Sequence, residues 1–354
     1  MIKRRKTTKT TIGPVKIGSG CPVAVQTMTK VATTDVAKCV RQINQLIKAG
    51  VDIVRIAVPT KADTAAFAKI VAKTTIPLIA DIHFSPDRAI EAIEAGAAKI
   101  RLNPGNIKST DDINRIIDCA KAHKIAVRIG INEASIRDMK QDDIPLAKRN
   151  ALMLREMKGY VRIFEKRSFD NIVLSVKSVN PLRTIETNRS VAENFSYPIH
   201  LGLTHAGLAE DATIPSSATL GALLAEGIGD TIRVSLAGDP VKEVEIGKQI
   251  LESLGLKETT SPKLIVCPTC GRCQVDIVKL ARKVRKVLVG INTPVKLAVM
   301  GCVVNGPGEA KDADIAVCAG KGKAIIYRAG RKVATIPEDG ILEALQKELQ
   351  KFSK

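Results

Sequence analysis

Short, mostly apolar runs alternate with longer amphipathic stretches along most of this chain. The first run, VAVQTMT (23–29), is followed by a segment in which Val36, Val40, Ile43 and Ile47 recur at helical spacing between a capping Asp35 and a stopping Gly50. VDIVRIAV (51–58) begins at once. The alternation continues through PLIADIHF (77–84), AAKIRLNPGN (97–106), IAVRIGIN (125–132), NIVLSVKS (171–178), PIHLGLTHAG (198–207) and TIRVSLAG (231–238). Helical stretches separate the runs, among them PDRAIEAIEAG (86–96) and SSATLGALLAEG (216–227), each ending on glycine. Eight such units are the pattern of an α/β protein of the (β/α)8 TIM-barrel type; an open doubly wound sheet rarely needs so many regular repeats. Between the fifth and sixth runs a longer connection carries Leu152, Met153, Met157, Val161 and Phe164, which predicts one amphipathic helix packed on the barrel.

The pattern changes after DPVKEVEIGKQILESLG (239–255), the last barrel helix. KETTSPK (257–263) is polar with a proline, so a boundary is expected there, with a barrel over 1–256 and a second domain over 257–354. The second domain reads as a strand (264–266), a CPTC loop, a helix (275–289), a strand (295–299), a glycine-rich loop, two or three strands between 315 and 336, and a final helix (341–352). That is a small α+β domain with its thiol-bearing loops at strand ends.

Polar residues recur near the C-terminal ends of the predicted barrel strands: Gln26 and Thr29, Arg55, Asp81 and His83, Arg101 and Asn103, Arg128 and Asn132, Lys177, His205, and Arg233 and Ser235. In a barrel these ends meet on one face, where active sites are built. Four arginines and a lysine at matching ends of five strands predict an anion pocket, because guanidinium forks match phosphate oxygens. Asp81 and His83, two residues apart, leave the same face of an extended segment, which suits an oriented proton donor. His200 and His123 read as structural.

Charge and cysteine usage sharpen this picture. The chain has 55 Lys and Arg against 36 Asp and Glu, a formal charge of +19. Such a field suits an anionic partner. With three Tyr, six Phe and no Trp, platforms for stacking bases are poorly provided, so nucleic acid is not the expected partner. No apolar run approaches the ~20 residues that cross a bilayer, and the basic start MIKRRKTTKTTIGP leads into no apolar stretch. A cytoplasmic protein with no membrane partner is expected. Eight cysteines are too sparse for a disulfide framework. Cys39 and Cys119 read as small core residues, whereas CPTCGRC (267–273) and MGCVVNGPGEA (300–310) read as a metal site.

Zinc wants four closed ligands in two close pairs, and no histidine follows His205. An iron–sulfur cluster fits better, with thiolates from Cys267, Cys270 and Cys302 and a fourth ligand from either Cys273 or Glu309. A carboxylate there would be harder and more easily displaced than a thiolate, leaving room for a substrate oxygen. The competing reading is a basic nucleic-acid-binding protein with a zinc-stapled C-terminal domain.

Taken together, VQTMT, DIHF, KIRLNPGN, VRIGIN, SVKS, HLGLTHAG, GDTIRVSL, CPTCGR and MGCVVNGPGEA resemble the 4-hydroxy-3-methylbut-2-enyl diphosphate synthase family, nearly end to end and in one order. The resemblance implies an oxidoreductase of the methylerythritol phosphate route to isoprenoids. It would open and dehydroxylate 2-C-methyl-D-erythritol 2,4-cyclodiphosphate with two electrons from ferredoxin or flavodoxin. It implies a [4Fe–4S] cluster held by Cys267, Cys270, Cys302 and an exchangeable Glu309, and substrate contacts from Arg55, Asp81, Arg101, Asn103, Arg128, Asn132, Lys177, Arg233 and Ser235. It further implies a homodimer in which the barrel of one subunit is closed by the cluster domain of the other. Two positions depart from the family pattern. Cys273 stands where a non-cysteine is usual, so it is expected to be an extra thiol near the cluster. His205 replaces a usual glutamate, so proton delivery is expected through His205 or His83, with Glu309 as the replaceable ligand.

Overall fold

The computed structural model describes residues 2–352 apart from 83, 104, 105, 108, 137–143, 205, 206, 292 and 303–305, and apart from the side chains of 146, 307 and 309. The chain forms two compact units, Met1–Lys257 and Glu258–Lys354.

The first unit opens with an antiparallel hairpin, β1 (Lys9–Ile12) and β2 (Val15–Gly18), that the hydrophobic pattern did not announce. Eight parallel strands follow: β3 (Ala24–Met28), β4 (Ile53–Ala57), β5 (Leu78–Asp81), β6 (Lys99–Leu102), β7 (Ala126–Asn132), β8 (Ile172–Lys177), β9 (His200–Leu201) and β10 (Thr231–Ile232). Their order is β8-β7-β6-β5-β4-β3-β10-β9, and a parallel bridge between Leu174 and Ile199 joins the two ends of that order. The result is the TIM barrel that the eight repeats predict. Around it run α1 (Val36–Ala49), α2 (Lys61–Val71), α3 (Pro86–Glu94), α4 (Thr110–Ala122), α5 (Leu146–Lys166), α6 (Pro181–Asn194), α7 (Ala209–Ala225) and α8 (Pro240–Ser253).

Local chemistry starts and stops these helices. The Asp35 carboxylate accepts the Lys38 N–H at 3.0 Å to open α1, and Gly50 at φ +84° closes it. Thr60 and Asp63 form a reciprocal capping box at α2. Helix α5 is the expected connection, with Met153, Met157, Val161 and Phe164 all buried.

Two expectations change. The runs at 198–207 and 231–238 hold only two residues each of regular strand. Beyond them the pairing continues as single bonds, such as Arg233 N–H to Leu201 O at 3.0 Å and Thr204 N–H to Ser178 O at 3.2 Å. Helix α7 begins at Ala209, ahead of the 216–227 stretch, and runs through Pro215.

The barrel interior is layered. At the N-terminal ends of the strands Ala24, Ile53, Ile79 and Val173 pack against Ile12 and Ile17 of the hairpin, which seals that end. The chain's exit from this plug needs glycine: Gly18, the last residue of β2, has φ +101°, and a Cβ there would stand 2.2 Å from Thr8 O. Above the apolar floor, the inward positions become polar and then cationic.

The second unit is a five-stranded sheet in sequence order: β11 (Lys263–Val266), β12 (Lys296–Met300), β13 (Ile315–Gly320), β14 (Lys323–Arg328) and β15 (Arg331–Pro337). The first three run parallel and the last two antiparallel. Helices α9 (Ile277–Val287), the short α10 (Gly306–Glu309) and α11 (Ile341–Gln350) complete it. Val284, Leu297, Val299, Val317 and Leu345 form its core.

Candidate active site

Side chains two residues apart on a strand share a face, so each barrel strand sends a column of residues inward. At the C-terminal ends these columns converge on a cavity of about 180 Å³. Arg55, Asp81, Arg101, Arg128, Asn132, Lys177, Arg233 and Ser235, all expected at an anion site, line it together with Gly130, Ser175, Leu203 and Thr204. Asn103 does not line the cavity; it is buried beside it, where its Oδ1 accepts the Ser135 hydroxyl at 3.4 Å. His83 and His205, the expected proton donors, lie outside the described residues.

Five cations line this cavity, and two carboxylates answer some of them. Asp81 stands 3.3 Å from Arg101 and 3.8 Å from Arg55. Glu243 of α8 pairs with Arg233 at 3.2 Å and Lys30 at 2.9 Å, and accepts the Thr27 hydroxyl at 2.6 Å. Burial alone would raise the Glu243 pKa, but Arg233 and the hydrogen bonds from Thr27, Arg233 and Lys30 hold it below the ordinary range. Arg128 has no such partner: its Nε and Nη1 atoms are buried without a hydrogen bond among the described residues. Lys99, one layer below Arg101, is fully buried and its Nζ is also unpartnered there.

The electrostatic consequence follows from burial plus mutual repulsion. Burial and the neighbouring Arg233 and Arg101, opposed by Asp81, bring Arg55 down to about 10. Burial first, then neighbouring cations, push Lys177 and Lys99 well below the ordinary lysine value. For these two lysines the folded protein holds its protons less tightly than the unfolded chain, so their burial costs stability, and that cost fades as pH rises from their folded pKa values to the ordinary lysine value. Once alkaline pH has removed their protons, an anion in the cavity restores the charged form. Binding of inorganic pyrophosphate should therefore take up protons. Calorimetry in buffers of different ionisation enthalpy checks this, at a pH where pyrophosphate is itself fully ionised; a binding enthalpy independent of buffer would contradict it.

Glycine makes room for these cations. A Cβ at Gly202 would stand 2.7 Å from Lys177 Nζ and 2.6 Å from Arg233 O, and one at Gly130 would stand 3.1 Å from Arg101 Nε. Gly202→Ala should weaken pyrophosphate binding about tenfold or more by displacing the ammonium, read as loss of the ligand-induced rise in melting temperature.

In the second unit the thiols sit where parallel strands end. Cys267 follows β11 directly and its N–H bonds Val299 O at 2.9 Å; Cys302 follows β12 two residues after Met300. The two loops are tied by Gln274 N–H to Gly301 O at 3.0 Å. Cys302 is buried, Cys267 half-buried and Cys270 exposed. The Cys273 thiol donates to Val275 O at 3.3 Å, and its side chain, like that of Cys267, packs against the domain core. Gly301 permits this, since a Cβ there would meet Cys273 Sγ at 2.4 Å. Burial and the nearby Cys302 push the Cys318 thiol up to about 11, which keeps it protonated.

Among the described residues no three His, Cys, Asp or Glu side chains close on a single metal ion. A cubane cluster spreads its thiolates over different irons, farther apart than ligands to one ion. Two adjacent loops carrying Cys267, Cys270 and Cys302 suit that donor set. The backbone of Glu309 ends α10.

The barrel with its charged mouth is that of a TIM-barrel enzyme. A family model described as the GcpE TIM-barrel domain matches residues 7–248, and one described as the GcpE protein C-terminal domain matches residues 263–351. The chain is 45% identical over 345 residues, 97% of its length and 94% of the relative's, to the 4-hydroxy-3-methylbut-2-en-1-yl diphosphate synthase (flavodoxin) of Malacoplasma penetrans. It is 46% identical over 354 residues to the protein of the same name from Corynebacterium jeikeium, covering 99% and 91% of the two chains. The chain belongs to the GcpE family of 4-hydroxy-3-methylbut-2-en-1-yl diphosphate synthases and is an oxidoreductase. Among solved structures, dihydropteroate synthase from Stenotrophomonas maltophilia superposes with a TM-score of 0.52 at 14% identity, covering 72% of this chain and 100% of that one. At that identity it speaks for the barrel fold alone. No helix among the described residues is long and apolar enough to cross a membrane.

Proposed function

We propose that this protein reductively opens and dehydroxylates 2-C-methyl-D-erythritol 2,4-cyclodiphosphate to 4-hydroxy-3-methylbut-2-enyl diphosphate. The observation that carries the reading is the convergence of Arg55, Arg101, Arg128, Lys177 and Arg233 on one cavity with few counter-charges, in a chain of this family. A diphosphate brings the negative charge that this cavity lacks, and several buried forks hold it in one orientation. Asn132 and Ser235 line the same cavity and offer hydrogen bonds to substrate hydroxyls; Asn103 sits beside them. Asp81 keeps Arg55 and Arg101 aligned. His205 and His83 are the candidates for supplying protons to the departing oxygen.

Cys267, Cys270, Cys302 and Glu309 would hold a [4Fe–4S] cluster, which when bound supplies the two electrons one at a time. Flavodoxin is the electron donor that the relatives' name suggests, and ferredoxin is the alternative. A chain with net charge +19 suits an acidic carrier of either kind. The working form is a homodimer that shares its active sites. Phe84, Val179 and Leu208, on loops that follow barrel strands, and Leu182 in the first turn of α6 are exposed apolar side chains suited to a partner surface.

The direct test is an anaerobic assay with the cyclodiphosphate and a chemical reductant. The expected result is formation of the allylic diphosphate by protein with a visible iron–sulfur absorbance; coloured protein that leaves the cyclodiphosphate untouched would overturn the substrate assignment. Site sharing has its own test. Mixing a barrel-defective with a cluster-defective variant should restore about a quarter of wild-type activity, because each mixed dimer regains one complete site. No recovery on mixing would mean that each subunit works alone.

A further inference from the structure

His200 looks like an ordinary mid-strand histidine in the sequence, but its ring lies between two polar partners. Lys177 Nζ is 3.3 Å from His200 Nε2, and His200 Nδ1 is 2.8 Å from Thr231 Oγ1. His200 and Thr231 are fully buried, and Lys177 reaches from this buried pair into the cavity. With Lys177 protonated, its ammonium has protons to give and no lone pair, so Nε2 accepts. That places the ring proton on Nδ1, and the Thr231 hydroxyl oxygen accepts it. Gly202, two residues beyond His200, supplies the space that the ammonium occupies.

The charged groups around this ring are all cations: Lys177 from β8, Arg128 from β7, Lys99 from β6 and Arg55 from β4, with the neutral Thr231 from β10 on the remaining side. Burial first, and then these cations, hold His200 well below the ordinary histidine value, so the ring stays neutral and keeps its lone pair. Lys177 has no carboxylate within ion-pair distance among the described residues, so this lone pair is the acceptor seen for it there.

We propose that His200 is a positioning residue: its Nε2 lone pair holds the Lys177 ammonium protonated and aimed into the cavity, and Thr231 locks the tautomer that makes this possible. The proposal rests on the anion-binding reading of the cavity and adds to it the group that keeps one of its cations charged when no anion is present.

The test uses inorganic pyrophosphate and the full chain, with affinity measured across neutral to alkaline pH for wild type, His200→Leu, His200→Gln and Thr231→Val. His200→Leu should bind about tenfold or more weakly, and the pH at which its affinity begins to fall should lie lower than in wild type, because the ammonium has lost its acceptor. His200→Gln, which can offer a side-chain oxygen to the ammonium, should recover most of both. Thr231→Val should shift the profile in the same direction as His200→Leu, since a freed ring can turn a proton toward the ammonium. A role confined to packing would lower affinity evenly at every pH, and that result, or an unchanged affinity, overturns the proposal. If His200→Leu does not fold, the Gln and Val variants decide it. Wild type that fails to bind pyrophosphate overturns the anion-pocket reading itself, which separates the two failures.

Discussion

Replacing Arg128 with methionine should make the ligand-free protein more heat-stable while costing about 100-fold in pyrophosphate affinity. Arg128 is among the largest fully buried side chains, and burial followed by Arg55 and Arg101 pushes its pKa well below the ordinary guanidinium value. Asp81 offsets only part of that cost, and Arg128 Nε and Nη1 have no hydrogen-bond partner among the described residues. Apolar replacements of buried charges are often neutral or stabilising by about 1 to 4 kcal/mol. For a barrel of this size that corresponds to a rise of about 2 to 8 °C in melting temperature. The stored unfavourable energy is released when an anion enters, so the variant should show no pyrophosphate-induced stabilisation. Differential scanning calorimetry with and without ligand reads both effects. A variant that melts lower and still binds would show that Arg128 supports the barrel rather than the ligand.

Three substitutions in the second unit should separate the ligands of the proposed cluster from their neighbours. Cys302→Ala should abolish both the visible absorbance and reductive turnover, because it removes a thiolate donor. Pyrophosphate binding should survive, since the cavity is lined wholly by residues of the first unit. Cys273→Ser should keep colour and turnover, as its thiol is engaged with Val275 O. Glu309→Ala should lose turnover more completely than colour, because three thiolates still hold iron. Iron content, absorbance and product formation measured on the three proteins together decide the matter; a colourless Cys273→Ser protein would move the ligand assignment to Cys273.

Much of this was legible before any coordinates. The eight strands could be read because buried parallel strands are short apolar runs and each helix carries its own stops, such as Gly50 and Gly96. The mouth could be read because polar residues in a barrel strand concentrate at one end. What escaped has physical reasons. The β1–β2 hairpin is written largely in Lys, Thr and Gly, and only Ile12 and Ile17 are buried in the core, with Val15 packed against it, so its apolar signal is three residues deep. Lys99 sits two residues before Arg101 and therefore on the same face; strand periodicity could have found it, but a lysine in an apolar run reads as a surface residue. Glu243 lies on α8, where a carboxylate looks solvated until the helix is seen to deliver it to Arg233. The pairing of His200 with Lys177 joins residues far apart in sequence and depends on adjacent strands, which no local pattern encodes.

The hairpin plug has one more consequence. By closing the barrel with Ile12 and Ile17 it puts an insulating layer beneath Lys99 and Arg128. Water at that end would screen the buried cations from below and spread their field in every direction. With the floor dry, the field is directed out through the mouth alone, so two isoleucines near the start of the chain, remote from any reacting atom, help set how strongly the barrel draws in a doubly phosphorylated guest.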